Sequence, residues 1–99
     1  MPGVTRDGDA TTTGHLCDIT TTVTGPSGDV NCNGSGVERK TDPTVTHEIK
    51  VGLLCVDHTS TIKGGSGSVF VNGKAIARIG DACDLGAITG GSGNVFAGG

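Results

Sequence analysis

Apolar residues occur along this chain in short runs, each bounded by glycine and followed by a polar turn. The clearest run is Val-Phe-Val at 69–71, which is followed by Asn-Gly at 72–73 and by a second apolar run at 76–79. Asn-Gly is strongly typical of a two-residue hairpin turn, because both residues tolerate positive φ angles. This segment is therefore predicted to form a β-hairpin, and no segment shows a convincing helical period.

The hairpin pattern occurs three times, and such internal repetition is a stronger fold signal than local propensity. Residues 27–42 align with residues 66–81 and share the Asn-Gly turn and an Arg-x-x-Asp ending. The third copy is split, since 92–99 match the front half and 4–9 match the back half. Pairing the two ends closes the chain into a ring of three hairpins. We therefore predict one domain spanning 1–99, an all-β fold shaped as a small pseudo-threefold cone.

Alternation with period two indicates which side of the hairpins faces inward. It places six apolar residues on one face, which we expect to be the interior: Val30, Val69, Val95, Cys32, Val71 and Ala97. Three connecting segments, 10–24, 43–64 and 82–90, show no clear strand or helix signal and are expected to be loops. Loops this long in a compact domain are usually functional or anchored.

The composition indicates that a hydrophobic core cannot stabilise this fold alone. The 99 residues include 19 glycines and only two aromatic residues, Phe70 and Phe96. Each glycine is costly to order, and a chain this short buries little surface, so a metal, disulfides or a partner is expected to contribute. The net charge of −3 and the absence of a basic run argue against nucleic-acid binding.

The redox state of the four cysteines is predicted from the cellular compartment that the sequence suggests. Residues 1–14 contain no apolar stretch, so we expect no secretory signal peptide, and no segment resembles a membrane helix. In the reducing compartment that follows by default, cysteines are thiols or ligands rather than disulfides. A Cys17–Cys55 disulfide is the alternative, which this argument disfavours. Cys32 aligns with Val71 and Ala97 and is predicted to be a small core residue.

A metal site is predicted from the residues that follow the three Arg-x-x-Asp endings. His15, His47 and Cys83 come shortly after these endings, and His58 lies in the second half of the middle segment. In a threefold ring the three segments emerge on the same side and can converge on the axis. Three imidazoles and one thiolate suit a closed structural Zn²⁺ site, whose binding energy becomes folding energy. Cys17 is the alternative to Cys83 as the fourth ligand.

The segments GSGSVFVNGKAIARIGDAC and GAITGGSGNVFAGG resemble the PAAR-repeat proteins, and the resemblance extends over essentially the whole chain. It implies a short β-structured cone whose base sits on the C-terminal end of a trimeric β-helical spike, one chain per trimer. It also implies a zinc ion near the vertex, held at positions that correspond to His15, His47, His58 and Cys83. Such proteins sharpen the spikes of contractile phage tails and of type VI secretion systems, and some carry effectors.

The first repeat departs from the family pattern at three places. Asn31-Cys32 replaces two apolar residues, Glu38 replaces alanine, and Thr41 replaces glycine. The compact chain and this divergent repeat favour the tail tip of a phage virion. The alternative location is a secretion apparatus, cytoplasmic before firing and then secreted. In either setting the tip contacts the target membrane transiently, and Phe70 and Phe96 are candidate anchors at the base.

Two alternative functions come from other classes of protein. Three histidines could hold a catalytic zinc with water in the fourth position, which would make the chain a small zinc-dependent enzyme. Against this, the fourth predicted ligand fills that position and a chain of 99 residues offers no evident cleft. The other alternative is a glycine-rich binding module without a metal. Neither accounts for the threefold repeat, so the sequence favours a structural spike tip that is not an enzyme.

Overall fold

The computed structural model describes all residues, 1–99, and contains ten short β-strands and no helix, hence none that could span a bilayer. Consecutive strands pair as five antiparallel hairpins. The strands are β1 (Ala10–Thr12), β2 (Thr20–Thr22), β3 (Asn31–Cys32), β4 (Ser35–Gly36), β5 (His47–Val51), β6 (Leu54–His58), β7 (Phe70–Val71), β8 (Lys74–Ala75), β9 (Ala82–Cys83) and β10 (Gly86–Ala87). The predicted all-β class is confirmed.

A closed ring of three backbone hydrogen bonds lies at the centre of the molecule. The Thr5 N–H donates to the Ala77 carbonyl (3.0 Å), the Ala77 N–H to the Glu38 carbonyl (2.9 Å), and the Glu38 N–H to the Thr5 carbonyl (3.0 Å). All three residues are buried. Isolated bridges on either side complete the triangle: Val4 with Arg78, Arg6 with Val37, and Arg39 with Ile76. This ring, which we call the central ring, gives the chain its approximate threefold axis.

The third hairpin is built from the two ends of the chain, as the split repeat predicts. Gly3 forms an antiparallel bridge with Phe96, and the Val4 N–H donates to the Val95 carbonyl at 2.9 Å. The Ala97 N–H donates to the carbonyl of Pro2 at 3.1 Å. The termini therefore lie side by side, and the ring has no open gap between its first and last repeats.

Both predicted Asn-Gly turns have the backbone conformation that their sequence favours. Asn33 and Gly34 have φ angles of 53° and 82°, and Asn72 and Gly73 have 54° and 78°. Two consecutive positive φ angles are the mark of a type I′ turn, whose twist matches that of the flanking strands. The strands that flank these turns pair over only a few residues. Each return strand then separates from its hairpin partner and pairs with another repeat around the central ring.

Apolar side chains form two core layers on opposite faces of the central ring. The ring strands have period two, so Ile76 belongs to one layer and its neighbour Ala77 to the other. The lower layer also contains the inward residues of the three hairpins, and its members are Val4, Cys32, Val37, Val71, Ile76 and Ala97. The upper layer belongs to the connecting segments, and its members are Val23, Ile62, Ala77, Cys83 and Ile88.

Of the six residues predicted to face the interior, three are buried and three are exposed. Val30, Val69 and Val95 keep 38%, 37% and 41% of their surface exposed, whereas their partners on that face are buried as expected. They lie at the outer ends of the hairpins, where no further layer covers them. Phe70 and Phe96, the next residues along two of these strands, are also exposed, and they point to the other side of the strand from Val69 and Val95. We call the end of the molecule that carries these five exposed residues the base face: Val30, Val69, Val95, Phe70 and Phe96.

The prediction that the connecting segments lack regular structure is also wrong, because each contains a hairpin: β1–β2, β5–β6 and β9–β10. The longest, β5–β6, turns at Gly52 and Leu53, with Gly52 at a φ of 61°. Glycine at the first central position is typical of a type II′ turn. This hairpin projects from the body, so its apolar residues, such as Leu53 and Leu54, are exposed and show no inward-facing pattern.

The repeated Arg-x-x-Asp endings have a structural role. In the second repeat, Arg39 donates through Nε to Asp42 Oδ2 (2.8 Å) and through Nη2 to Oδ1 (3.0 Å). Its backbone N–H also donates to Asp42 Oδ2 at 2.8 Å. The other two repeats form the same contacts. A carboxylate that caps the turn and accepts a two-pronged guanidinium stabilises the point where each connecting segment begins.

Candidate metal centre

The candidate site lies above the upper core layer, on the side of the central ring opposite the base face. This upper layer repeats the threefold pattern, with bridges between Thr11 and Ile88, Val23 and Thr44, and Ile62 and Cys83. The three connecting hairpins extend from it away from the base. Two of them carry the three histidines of the chain, and the third carries Asp84, into one cluster.

Two of the histidines face each other across the β5–β6 hairpin. His47 and His58 are directly paired in the strand register, and their ring centroids lie 5.2 Å apart. The Val45 carbonyl lies 3.0 Å from His47 Nδ1. A proton on Nδ1 that is donated to this carbonyl leaves Nε2 with a free lone pair, as a metal-binding imidazole requires. The hairpin therefore presents two aligned ligands from one rigid element.

The third histidine arrives on the loop between β1 and β2. The His15 N–H donates to Thr13 Oγ1 at 3.0 Å, and the His15 ring centroid lies 5.1 Å from that of His58. Gly14, with a φ of 73°, brings this loop against the Leu85 carbonyl, where a Cβ would collide. Because Leu85 belongs to the β9–β10 turn, this close approach brings the His15 loop to the fourth member of the cluster.

That fourth member is Asp84, the first turn residue of the β9–β10 hairpin. Its φ of 54° is one that aspartate tolerates better than most residues. Its carboxylate is nearly buried and touches all three imidazoles. The oxygens lie 2.8 Å from His15 Nε2, 3.0 Å from His47 Nε2 and 3.4 Å from His58 Nε2. At this carboxylate, side chains from all three connecting hairpins therefore meet.

The electrostatics of the cluster favour a cation. Burial alone would raise the pKa of Asp84, but hydrogen bonds with His15 and His47 outweigh it and hold the pKa below its usual value. The carboxylate is therefore ionised at neutral pH. A neutral imidazole whose proton is on Nδ1 turns a lone pair toward this carboxylate, which is unfavourable unless a proton or a metal ion lies between them. A divalent cation satisfies all of these atoms at once.

The donor set fits zinc. The three imidazole nitrogens and one carboxylate oxygen lie within 4.8 Å of one another. A tetrahedral ion with bonds of about 2.0–2.1 Å separates its ligand atoms by about 3.3 Å. The distances of 2.8–3.4 Å from the carboxylate to the imidazoles are close to that spacing. Histidine nitrogen and aspartate oxygen are both ordinary zinc ligands, and four of them leave no open coordination position.

Cys83, the predicted fourth ligand, is not among the clustered side chains, and the fourth member of the cluster is its neighbour Asp84. Cys83 lies two residues after Asp81, and the equivalent residues of the other repeats are Thr11 and Thr44. All three are buried in the upper layer, below the cluster. Burial raises the pKa of the Cys83 thiol, which disfavours the thiolate that binds metals. The sequence did contain a signal for this member of the cluster, because an aspartate, Asp84, directly follows the predicted ligand.

The other cysteine alternatives are also decided by the structure. Cys17 and Cys55 form a disulfide, so the prediction that these residues are thiols or ligands is wrong, and Cys17 cannot replace Cys83 as a ligand. The compartment argument failed because it gave no weight to geometry, which places the two residues at facing positions on neighbouring hairpins. Cys32 is free and buried in the lower layer, as predicted.

Neighbouring substitutions should separate the two candidates for the fourth ligand. We expect Cys83→Ala to keep its full metal content and to lose roughly 1–2 kcal/mol of stability through the small core cavity. Asp84→Ala should bind zinc more weakly and lose metal on dialysis against a chelator, because water must then replace the carboxylate as the fourth ligand. Metal content measured by mass spectrometry after dialysis checks both variants. If Cys83→Ala is folded but contains no metal, the result would favour Cys83 over Asp84 as the fourth ligand.

Comparison with known families gives a single match. The family model described as the PAAR motif matches residues 7–89 of the 99-residue chain. No curated protein matches the chain. The matched region includes two of the three strands of the central ring, the upper layer and all four members of the candidate metal cluster.

Proposed function

The chain belongs to the PAAR-motif family, and on that premise we propose that it is the tip of a contractile injection spike. In this role the whole chain, residues 1–99, acts as one PAAR-repeat domain. Its base caps the C-terminal end of a trimeric β-helical spike protein, and its vertex is the first part to reach the target envelope. The family is a structural one, and we propose no enzymatic activity for this member.

The observation that supports this proposal most strongly is the threefold arrangement of the base. A single chain normally cannot match the blunt end of a trimer, because it lacks the trimer's symmetry. Here three similar hairpins surround the central ring, and each presents a half-exposed valine to the base face. On the other side of the strand from this valine, two of the three hairpins carry an exposed phenylalanine, Phe70 or Phe96, and the third carries Asn31. An apolar base of this symmetry suits burial against a trimer.

The proposed metal is one structural Zn²⁺ held by His15, His47, His58 and Asp84. When bound, it supplies cross-linking rather than chemistry, because four protein ligands close the site to water and substrate. The residues themselves tie together three hairpins at the end of the molecule where the apolar core is thinnest. Stiffening the vertex in this way is consistent with a tip that must withstand force.

The proposed setting is the tail tip of a phage virion, and a type VI secretion apparatus is the alternative. The spike protein is the main partner. Effectors carried by the tip and the target membrane, which is contacted transiently, are secondary ones, and no nucleic acid is involved. The net charge of −3 is consistent with the last point, because a nucleic-acid surface requires a basic patch.

Co-expression with the trimeric spike protein encoded nearest to this chain tests the proposal. We expect one chain to co-purify with each spike trimer. Phe70→Asp should abolish this association, because it places a charge in the buried base contact. The matched control is Leu53→Asp, which changes an even more exposed apolar residue on the β5–β6 turn and should leave binding intact. Equal loss in both variants, or no complex with the unmodified chain, would contradict the proposal.

A further inference from the structure

We propose that the Cys17–Cys55 disulfide is a redox switch for the metal centre, so that the oxidised chain holds zinc more tightly than the reduced chain. The inference depends on the proposed zinc site and specifies how that site is regulated. It rests on the position of the disulfide relative to the histidines, on the weak attachment of the loop that carries His15, and on the exposure of both cysteines.

The disulfide joins the two elements that carry three of the four proposed ligands. Cys17 lies two residues after His15 on the loop between β1 and β2, and Cys55 lies three residues before His58 on β6. The β5–β6 hairpin carries His47 and His58 on its paired strands and is rigid by itself. Only the loop with His15 needs to be held against it, and the disulfide is the one covalent cross-link between them.

The remaining contacts between this loop and the hairpin are few and exposed. Cys17 forms an isolated bridge with Ile49, and the Asp18 N–H donates to the Glu48 carbonyl at 3.0 Å. The Glu48 N–H donates in return to Asp18 Oδ2 at 2.8 Å. Exposed hydrogen bonds of this kind contribute little, because water replaces them readily. Without the disulfide, these exposed bonds alone hold the loop against the β5–β6 hairpin, so His15 is held less firmly in the cluster.

The disulfide is also placed where redox agents can reach it. Cys17 and Cys55 are both exposed, whereas the two free cysteines, Cys32 and Cys83, are buried. Exposed disulfides are the labile ones, and buried thiols are largely inert. Reduction by a small dithiol breaks the S–S bond with two electrons and two protons and gives two thiols, while the reductant becomes a cyclic disulfide. Oxidation by a small disulfide reverses this exchange.

The two equilibria must be coupled in both directions. If the disulfide strengthens zinc binding by some factor, bound zinc makes the disulfide harder to reduce by the same factor. Couplings between sites are typically about 5- to 150-fold. We expect at least about a tenfold change in zinc affinity here, because the disulfide fixes one ligand of four. A tenfold change corresponds to a shift of about 30 mV in the reduction potential.

The test measures zinc binding by the full chain in its oxidised and reduced forms. The reduced form is prepared with dithiothreitol, which is then removed under anaerobic conditions so that it does not chelate the metal. Zn²⁺ is titrated in competition with a chromophoric chelator. We expect the oxidised chain to bind about one equivalent at least tenfold more tightly than the reduced chain. A Cys17→Ser/Cys55→Ser variant should match the reduced chain without any reductant.

The control variant is Cys32→Ala, which removes a cysteine remote from the cluster and should leave the redox effect unchanged. Equal affinity in the two redox states, or tighter binding by the reduced chain, would overturn this inference while leaving the zinc site itself intact. An oxidised, folded chain that binds no zinc would instead overturn the proposed site. The reduction potential, measured with and without zinc, should shift by the amount that the affinity ratio requires.

Discussion

Replacing His47 with alanine is expected to abolish stoichiometric zinc binding and to lower the melting temperature by roughly 20 °C or more. His47 is the most deeply buried of the three imidazoles and contacts Asp84 at 3.0 Å. Structural zinc sites in small domains supply several kcal/mol of folding energy, and each kcal/mol corresponds to about 4–8 °C in a chain of this size. Losing even a third of the usual binding energy of a structural zinc ion is therefore enough to lower the melting temperature by this amount.

Thermal unfolding with and without a chelator separates the metal contribution from simple loss of packing. Ethylenediaminetetraacetate should lower the melting temperature of the unmodified chain to near that of His47→Ala and should have no further effect on the variant. Lys50→Ala, on the exposed face of the same strand, is the matched control and should behave as the unmodified chain does. If the chelator leaves the unmodified chain unaffected, the stabilising role of the metal is wrong.

Replacing Glu38 with glutamine is expected to remove most of the pH dependence of stability between pH 5 and 8. Glu38 is fully buried in the central ring, and neither of its carboxyl oxygens has a hydrogen-bond partner. Burial, aided by the nearby charges of Asp42 and Asp7, raises the pKa of Glu38 to about 9 from an ordinary value of 4.5. The folded chain therefore keeps this carboxyl protonated at neutral pH, whereas the unfolded chain ionises it.

The direction of the effect follows from the raised pKa. The contribution of Glu38 is fully present below pH 4.5, and it is lost progressively as the pH rises toward about 9. One pH unit in this range costs about 1.4 kcal/mol, so the unmodified chain should lose up to about 4 kcal/mol between pH 5 and 8 relative to Glu38→Gln. The variant should be the more stable protein at pH 8, although its amide also lacks partners.

Urea unfolding at several pH values, at a fixed zinc concentration, measures this difference. Other groups that titrate in the same range contribute equally to both proteins, so the difference between the two curves isolates Glu38. Glu48→Gln is the matched control, because Glu48 is exposed on β5 and should give a curve parallel to that of the unmodified chain. Parallel curves for Glu38→Gln would show that its carboxyl is solvated and that the central ring is not sealed from water.

The threefold ring was predictable because its signals are local and repeated. The Asn-Gly turns, the Arg-x-x-Asp endings and the split third copy each correspond to a backbone feature that the structure contains. Repetition also explains why the three histidines could be expected on one side of the ring. Their meeting at one carboxylate depends on hairpins inside the connecting segments, which carry no repeated pattern.

The fourth member of the cluster and the disulfide could not be obtained from the sequence for related reasons. Spacing from the repeat identified a position but not the direction of its side chain, which changes where the strand ends at Cys83 and the turn begins at Asp84. Cys83 therefore points into the upper layer and its neighbour Asp84 reaches the cluster. The disulfide required knowledge of how two hairpins lie side by side, which no spacing between Cys17 and Cys55 supplies.

The departures of the first repeat from the family pattern have physical costs. Glu38 places an unpartnered carboxyl where the equivalent residue is Ala77. Thr41 has a φ of 81°, a conformation that its equivalents adopt as Gly8 (84°) and Gly80 (91°). A β-branched residue in this region is strained by about 1–3 kcal/mol. The metal and the disulfide help to offset these costs in a fold with a small core.

X-ray absorption at the zinc edge of the purified chain, together with its metal content, tests the central claim most directly. The structure predicts about one zinc per chain. It also predicts a shell of nitrogen and oxygen ligands near 2.0–2.1 Å, without a sulfur at about 2.3 Å. A well-folded chain that contains no metal, and takes none up when zinc is added, would contradict the view that three hairpins converge on a single ion.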